Sequence, residues 1–353
     1  MSGRTLSDAG GARAAGRSST ALLSRRRLLA GIAGSAALVT AWPGRAALPA
    51  VAPEAAAASD VVGKLTYLVT DGERTLIDIA VERDLGILSI SALNPGVDVW
   101  VPGPERLVTL PTAHVLPEFE RRGIIVNLAE FRLYYFPAPD APPVIHTIGI
   151  GRDGFSTPIG PTTIVRKQAN PSWYPTEATR ADRPDLPSVV PSGPDNPLGL
   201  FALYLGFPTY LIHGTNKPYG VGRRVSRGCI RMYPEGIASL FEQVPVGTPV
   251  RIMNDPIKLG WQAGELYLEV HPDTEQFDQL EVDYRFTKKP PPEGAAARIT
   301  AKAGAEATRL AWDVIERELV NRQGIPVQIT RPVMANAESR SRSSIPSGFT
   351  GLY

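Results

Sequence analysis

Short runs of β-branched and aromatic residues, each closed by Pro, Gly or a polar turn, dominate the sequence from Gly123 onward. They lie at 124–128, 132–136, 144–150, 162–165 and 208–212 and predict strands. The first two are separated by a turn and are expected to pair as a hairpin. The 34 Pro and 33 Gly favour a loop-rich β architecture over a helical bundle. We therefore expect a mostly β, mostly antiparallel fold, a sandwich or barrel with short helices.

The later part of the chain is less regular. Residues 166–199 hold many Pro, Asp, Asn and Ser with little periodicity, which predicts a long loop over one face. Residues 255–332 are expected to form a C-terminal α/β extension with a strand at 265–270 and a helix at about 303–321. The composition of 333–353 predicts a disordered tail.

The amino terminus indicates export. Ser24-Arg25-Arg26-Arg27 precedes an uncharged apolar stretch that ends near Trp42. This is the pattern of a twin-arginine-type signal. The stretch of about fifteen residues is short for a membrane span, which requires ~20. We predict a signal peptide at 1–52 and a linker at 53–64.

Residues 65–112 carry a pattern of their own. A strand, two short helices and a second strand are predicted in that order. Asp71-Gly72 marks a turn, Thr75 is a candidate N-cap, and Pro95-Gly96 ends the second helix. We expect a βααβ module with its own core, separable from the rest of the chain.

Charge and cysteine content exclude two possibilities. The 37 Lys and Arg nearly balance the 35 Asp and Glu, so no nucleic-acid partner is expected. Cys229 is the single cysteine, so no disulfide within the chain can form. Its thiol is available either for the core or for chemistry.

Two segments combine residues that suit acyl transfer. His213-Gly214-Thr215 follows a predicted strand, and Cys229 comes sixteen residues after the histidine. A thiol attacks as thiolate, so it needs a base or a positive field beside it. The glycine-containing loop can return Cys229 to the strand end that holds His213. Gly228 leaves room for a carbonyl substrate, and backbone N–H groups there could form an oxyanion hole.

Simpler interpretations exist for each residue. Alone, His213 fits a hydrogen-bonded core histidine and Cys229 a small buried apolar residue. Together, and flanked by glycines, they favour a nucleophile and its general base. One His and one Cys lack the three or four ligands of a zinc site, so no metal is expected. The remaining histidines, His114, His146 and His271, are interpreted as structural.

The segments around His213 and Cys229 are similar to the signature of a known family. His213-Gly214-Thr215 and the segment from Ser226 to Arg231 resemble the active-site signature of the L,D-transpeptidase (YkuD-type) family, with supporting blocks at 149–151, 157–162, 196–199 and 246–251. The resemblance implies a β-rich catalytic domain at 120–254, a Cys nucleophile and a His base, without metal or organic cofactor. Residues 65–112 are similar to a LysM module, which implies peptidoglycan or chitin glycan as a ligand.

One position departs from the family pattern, which usually has His where this chain has Arg227. A guanidinium there would favour the thiolate and lower the pKa of Cys229, or hold a carboxylate. Arg231 is expected to contact substrate. The resemblance places four further residues in the oxyanion and substrate-binding part of the site: Ser226, Gly228, Gly214 and Thr215.

The implied donor is a peptidoglycan tetrapeptide stem. Cys229 attacks the carbonyl of the third residue, a diamino acid; D-alanine leaves, and an acceptor amine resolves the thioester. The acceptor stays open between another stem, a lysine of an envelope protein, a free D-amino acid and water. There are two alternatives: a peptidoglycan hydrolase (an L,D-carboxypeptidase) that uses the same two residues, or a non-catalytic wall-binding protein. Each fits a periplasmic or cell-wall-associated protein.

Overall fold

A computed structural model describes residues 59–332 of the chain. The predicted signal peptide at 1–52, residues 53–58 of the predicted linker and the predicted tail at 333–353 lie outside the described residues. Among the helices of the described part, none has the length and apolar character needed to cross a membrane.

Strands predominate over helices. The strands are β1 Val61–Gly63, β2 Thr66–Asp71, β3 Pro104–Leu110, β4 Ala113–Val115, β5 Gly123–Asn127, β6 Arg132–Phe136, β7 Val144–Gly151, β8 Gly160–Ala169, β9 Phe201–Leu205, β10 Leu211–His213, β11 Arg224–Ser226, β12 Ile230–Met232, β13 Pro249–Met253, β14 Ile257–Gln262, β15 Glu265–Val270 and β16 Val327–Gln328. The helices are α1 Leu76–Glu82, α2 Ile87–Leu93, α3 Glu177–Asp182, α4 Pro234–Gln243, α5 Thr274–Asp283, α6 Ala295–Ala303 and α7 Trp312–Asn321.

The central feature is a barrel-like sheet. Its strands follow the order β11-β7-β12-β10-β9-β8-β13-β5-β6, and β6 also pairs with β7, which closes the sheet. The predicted hairpin forms between β5 and β6, and most pairings are antiparallel. Three pairs are parallel: β10 with β12, β11 with β7, and β13 with β5. The expected β-rich fold with short helices is confirmed.

The segment before the barrel has the predicted βααβ order, with β2 and β3 antiparallel. Thr75 caps α1 through a capping box with Asp78. Apolar side chains of the segment, such as Ile90, lie in one continuous cluster with barrel residues such as Ile124. The expectation of a separate core is therefore wrong, because the buried side chains of the two short helices belong to the same cluster as those of the barrel strands. Identity with a LysM module stays a prediction.

Asp84 fastens this segment to the barrel. Its carboxylate accepts a hydrogen bond from the Thr147 backbone N–H at 2.9 Å and lies 2.7 Å from His146 Nδ1. Nearby, a Cβ on Gly222 would lie 2.6 Å from the Gly86 Cα, so the backbones there touch directly. The βααβ segment therefore contacts the loop that leads toward Cys229.

The C-terminal extension has its own three-stranded sheet, β14-β15-β16, and a second apolar cluster with α6 and α7. The helix predicted at 303–321 is interrupted. A 3-10 helix ends at Arg309, and α7 begins at Trp312. Between them, Leu310 bridges to Thr330 and the Ala311 N–H donates to the Ile329 carbonyl at 2.9 Å. Pairing of Leu310 and Ala311 with the two residues 329–330, just after β16, replaces the hydrogen bonds of a continuous helix.

A buried ionic network joins the extension to the barrel. Lys258 Nζ lies 2.6 Å from Glu130 and 3.1 Å from Glu269, and Arg132 bonds both carboxylates. His271 Nε2 lies 2.8 Å from Glu269. The two carboxylates and this histidine are close enough to share a cation, yet the Lys258 ammonium already lies between the carboxylates. Two cations balance two anions, as buried charges require.

Candidate active site

Two parallel strands bring Cys229 and His213 to one part of the barrel. In the β10–β12 pair, Ile212 is the partner of Ile230 and His213 is the partner of Arg231. Cys229 directly precedes β12. The connection from 214 to 229, which includes β11, provides the crossover that a parallel pair needs. It returns Cys229 to the strand next to the one that ends at His213.

His213 is buried at 4% exposure, and its ring orientation is fixed. Nδ1 lies 2.6 Å from the Gly214 carbonyl oxygen, so Nδ1 carries the proton and donates it. Nε2 is then left with its lone pair. Burial first, and the charge of Arg231 second, lower the pKa of His213 to about 4, against the opposing effect of the Gly214 carbonyl. The imidazole is neutral at pH 7 and can accept a proton.

Cys229 is half-buried, and Sγ lies 3.6 Å from the Thr209 carbonyl oxygen. Thr209 holds this position with φ of 69°, which is strained for a β-branched residue. Burial raises the pKa of the Cys229 thiol; a backbone hydrogen bond from Leu211 and the charge of Arg231 oppose it only in part. At rest the site therefore holds a neutral thiol and a neutral imidazole.

The turn before the nucleophile is held by hydrogen bonds. Ser226 Oγ donates to the Cys229 carbonyl at 2.6 Å and accepts from the Gly228 N–H at 3.1 Å. Thr157 Oγ1 donates to the Gly228 carbonyl at 2.9 Å. The Gly228 N–H is thus occupied, and in this state it does not supply the oxyanion donor expected of it. Ser226 orders the turn. Thr157 was not singled out from the sequence, although it begins one of the supporting blocks.

Gly228 is required by its backbone and its neighbours. Its φ is 99°, and a Cβ there would lie 2.7 Å from Tyr210 Cε1. Gly214 and Thr215 act on the histidine side: the Gly214 carbonyl oxygen accepts a hydrogen bond from His213 Nδ1–H, and Thr215 Oγ1 accepts one from the Lys217 N–H at 2.9 Å. These glycines and hydroxyls shape the two loops around the thiol.

Arg227 does not have the role at Cys229 that was expected for it. Its guanidinium pairs with Asp182, at the end of α3, at 2.5 Å and stacks over the Phe155 ring at 4.6 Å. The positive charge that acts on the thiol is that of Arg231. The expected lowering of the Cys229 pKa by Arg227 is not found; the pKa is raised, because burial outweighs the nearby charge. Sequence alone did not reveal Asp182, because the segment 166–199 was expected to be one long loop. It contains instead the end of β8 and the helix α3, which are joined by irregular segments.

The three remaining histidines lie elsewhere. His146 bonds Asp84 and His271 bonds Glu269, as described above. His114 is buried on β4, and burial lowers its pKa well below the ordinary value. Their positions agree with the structural interpretation made from the sequence.

Known proteins with similar sequences are L,D-transpeptidases by name. The sequence model of the YkuD L,D-transpeptidase catalytic domain matches residues 121–252. The Escherichia coli protein named Probable L,D-transpeptidase YbiS is 40% identical over 261 residues, 71% of this chain and 81% of that one. The Escherichia coli protein named Probable L,D-transpeptidase ErfK/SrfK is 39% identical over 281 residues, 77% and 88% of the two chains.

Among solved structures, L,D-transpeptidase 3 from Mycobacterium tuberculosis has a TM-score of 0.32 and 14% identity, covering 55% of this chain and 93% of that one. Family membership rests on the sequence relatives, since identity near 40% extends over most of both chains. The chain belongs to the L,D-transpeptidase family.

Proposed function

We propose that this enzyme joins peptidoglycan stems, or attaches molecules to them, through a thioester on Cys229 with His213 as base. The supporting observation is the hydrogen bond of His213 Nδ1 to the Gly214 carbonyl, on a strand parallel to the one that follows Cys229. That bond leaves Nε2 free to accept the thiol proton.

The reaction proceeds in two halves. His213 Nε2 takes the Sγ proton as Cys229 attacks the carbonyl of the third stem residue. The amide C–N bond then breaks, and His213 returns the proton to the amine of the leaving D-alanine. In the second half an acceptor amine attacks the thioester carbonyl and gives its proton to His213. The C–S bond breaks, and the thiolate recovers that proton.

A neutral resting pair suits this sequence. The Sγ proton is transferred as Cys229 attacks. A charged thiolate therefore does not have to form before substrate binds, in a site whose burial disfavours the charge. The Ser226 and Thr157 hydrogen bonds keep the nucleophile in place without taking part in proton transfer.

The segment 65–112 is proposed to bind wall glycan. Its exposed aromatic side chains support this, since Trp100 is 54% exposed and Tyr67 62% exposed. Aromatic faces suit sugar rings. With the predicted export signal, a periplasmic or cell-wall-associated enzyme follows.

The acceptor is identified by its products. Purified tetrapeptide stems are incubated with the enzyme alone, with a free D-amino acid, or with a lysine-containing envelope peptide, and all products are analysed by mass spectrometry. We expect stem dimers or acceptor adducts with release of D-alanine. Tripeptide as the sole product would instead assign an L,D-carboxypeptidase, and no product at all would assign a wall-binding protein.

A further inference from the structure

Arg231 differs from the other arginines that surround the site. Arg223, Arg224 and Arg227 each pair with a carboxylate, those of Glu281, Asp278 and Asp182 respectively. Within residues 59–332, Arg231 has neither a carboxylate nor a hydrogen-bond partner for its side chain, and its Nε is buried. Partial burial of a guanidinium without a counter-charge costs free energy. An anionic ligand bound beside Arg231 would supply the missing counter-charge.

The strand geometry points Arg231 toward the reacting atoms. Ile230 and Met232 are buried and Arg231 is half-buried, so Arg231 lies on the opposite face of β12 from those two residues. His213 and Arg231 are register partners on adjacent parallel strands and share a face. The charge of Arg231 acts on both members of the pair, as the pKa values of His213 and Cys229 show.

From this placement we infer that Arg231 binds the free carboxylate of the donor's terminal residue, one residue beyond the bond that Cys229 attacks. The inference rests on the proposed function and names the feature of the donor that the site selects. It makes Arg231 a specificity determinant for donors that end directly after the leaving residue.

The distances favour this carboxylate over others. Two residues along a strand span about 6.6 Å, which separates the Cys229 and Arg231 backbones. In a productive complex the attacked carbon lies about 3 to 3.5 Å from Sγ. Three bonds connect that carbon to the terminal carboxylate carbon, a reach of at most about 4 Å. One additional residue would move the carboxylate about 3.3 Å or more past the guanidinium.

An arginine at this place also distinguishes a terminal carboxylate from a terminal carboxamide. The planar guanidinium can donate two parallel hydrogen bonds to one carboxylate. A carboxamide at the same place offers one acceptor and two N–H groups that repel the guanidinium donors. The wild-type enzyme should therefore reject a donor amidated at its terminus.

The test compares two donors that differ only at this group: the tetrapeptide stem and its C-terminal carboxamide. The rate of acyl-enzyme formation is measured by intact-protein mass spectrometry for each donor. Wild type is expected to favour the free acid by about 10- to 100-fold, the range for a hydrogen-bonded charged pair. In Arg231→Met that preference should fall to near one, mainly through loss of activity on the free acid.

Arg251→Met is the matched control. Arg251 is also half-buried, has a buried Nε without a partner in the described part of the chain, and lies on β13 with its guanidinium over Phe119. Its substitution should leave the preference unchanged. A third donor, a free-acid stem whose diamino acid lacks a side-chain carboxylate, separates the two possible sources of the anion. Arg231→Met should lose activity on this donor as much as on the original free acid. A loss confined to the donor that carries the side-chain carboxylate would assign Arg231 to that group and overturn the inference.

Equal rates of wild type on both original donors would also overturn it, and this comparison does not depend on whether any variant folds. A uniform loss on both donors in Arg231→Met, with the preference intact, would make Arg231 a positioning residue instead. Absence of acyl-enzyme with either donor in wild type would contradict the proposed function itself, and the inference with it.

Discussion

The His213 ring donates from Nδ1 to the Gly214 carbonyl at 2.6 Å, inside a buried site next to the charge of Arg231. This one bond fixes the tautomer and leaves Nε2 as the basic atom. The environment then keeps the ring neutral well below pH 7. The behaviour of the site with pH follows from this relationship.

The acid limb of the pH–rate profile should lie low. His213 must be neutral to act as base, and its pKa is lowered to about 4 by burial and by Arg231. The rate of acyl-enzyme formation is therefore expected to stay high as pH falls through 6.5, the ordinary histidine value, and to drop only near pH 4. Stopped-flow measurement from pH 3.5 to 8 tests this. An acid limb at about 6.5 would mean that His213 is more solvated than the structure shows.

Cys229 should react slowly with a neutral alkylating reagent in the absence of substrate. Burial raises its thiol pKa, so the midpoint of the alkylation rate against pH should lie above the ~8.5 of a free cysteine. Arg227→Met should give the same midpoint, because Arg227 pairs with Asp182. A midpoint below 8.5 that rises in Arg227→Met would restore the role first expected for this arginine.

The continuous core predicts one unfolding transition. Ile90 is fully buried in the cluster that the βααβ segment shares with the barrel. Ile90→Ala should lower the free energy of unfolding by about 2 to 5 kcal/mol. The matched change Val101→Ala, at a residue 74% exposed in the same segment, should stay within about 0.5 kcal/mol. Thermal unfolding followed together with residual activity checks this. Two separate transitions, of which Ile90→Ala shifts only one while activity follows the other, would show that the segment folds as an independent module.

Gly228 should tolerate no side chain. Gly228→Ala must avoid Tyr210 Cε1 at 2.7 Å and so displaces the turn that carries Cys229. A displacement of about 1 Å at the nucleophile lowers turnover on the order of 10²-fold. Gly247→Ala is the control, because its φ of 90° is similar but nothing lies within 4 Å of the added Cβ. Equal turnover of the two variants would refute the steric argument.

Local features of the fold were predictable from the sequence, and distant pairings were not. The β5–β6 hairpin forms because its strands and turn are contiguous. The β6–β7 contact that closes the sheet and the β10–β12 parallel pair depend on the whole topology. The prediction of one helix at 303–321 is wrong because of another distant pairing: Leu310 and Ala311 pair with a segment about twenty residues later.

At the site, the chemistry of single residues could be predicted more readily than their partners. His213 and Cys229 stood out through their types and flanking glycines. The partner of Arg227 is Asp182 at the end of α3, in a segment whose sequence lacks periodicity, and that of Arg223 is Glu281 in the extension. A long cationic side chain can reach many carboxylates. The spacing of residues in the sequence does not determine which of them becomes its ion-pair partner.

The central claim is that Cys229 carries the acyl group and His213 accepts its proton. Intact-protein mass spectrometry after mixing with a tetrapeptide donor, followed by peptide mapping, tests it most directly. Wild type should gain the mass of the donor less D-alanine, mapped to Cys229. Cys229→Ser should gain no thioester, and His213→Ala should acylate about 10² to 10⁴ times more slowly while remaining folded. An adduct on any other residue, or an undiminished rate in His213→Ala, would contradict the account.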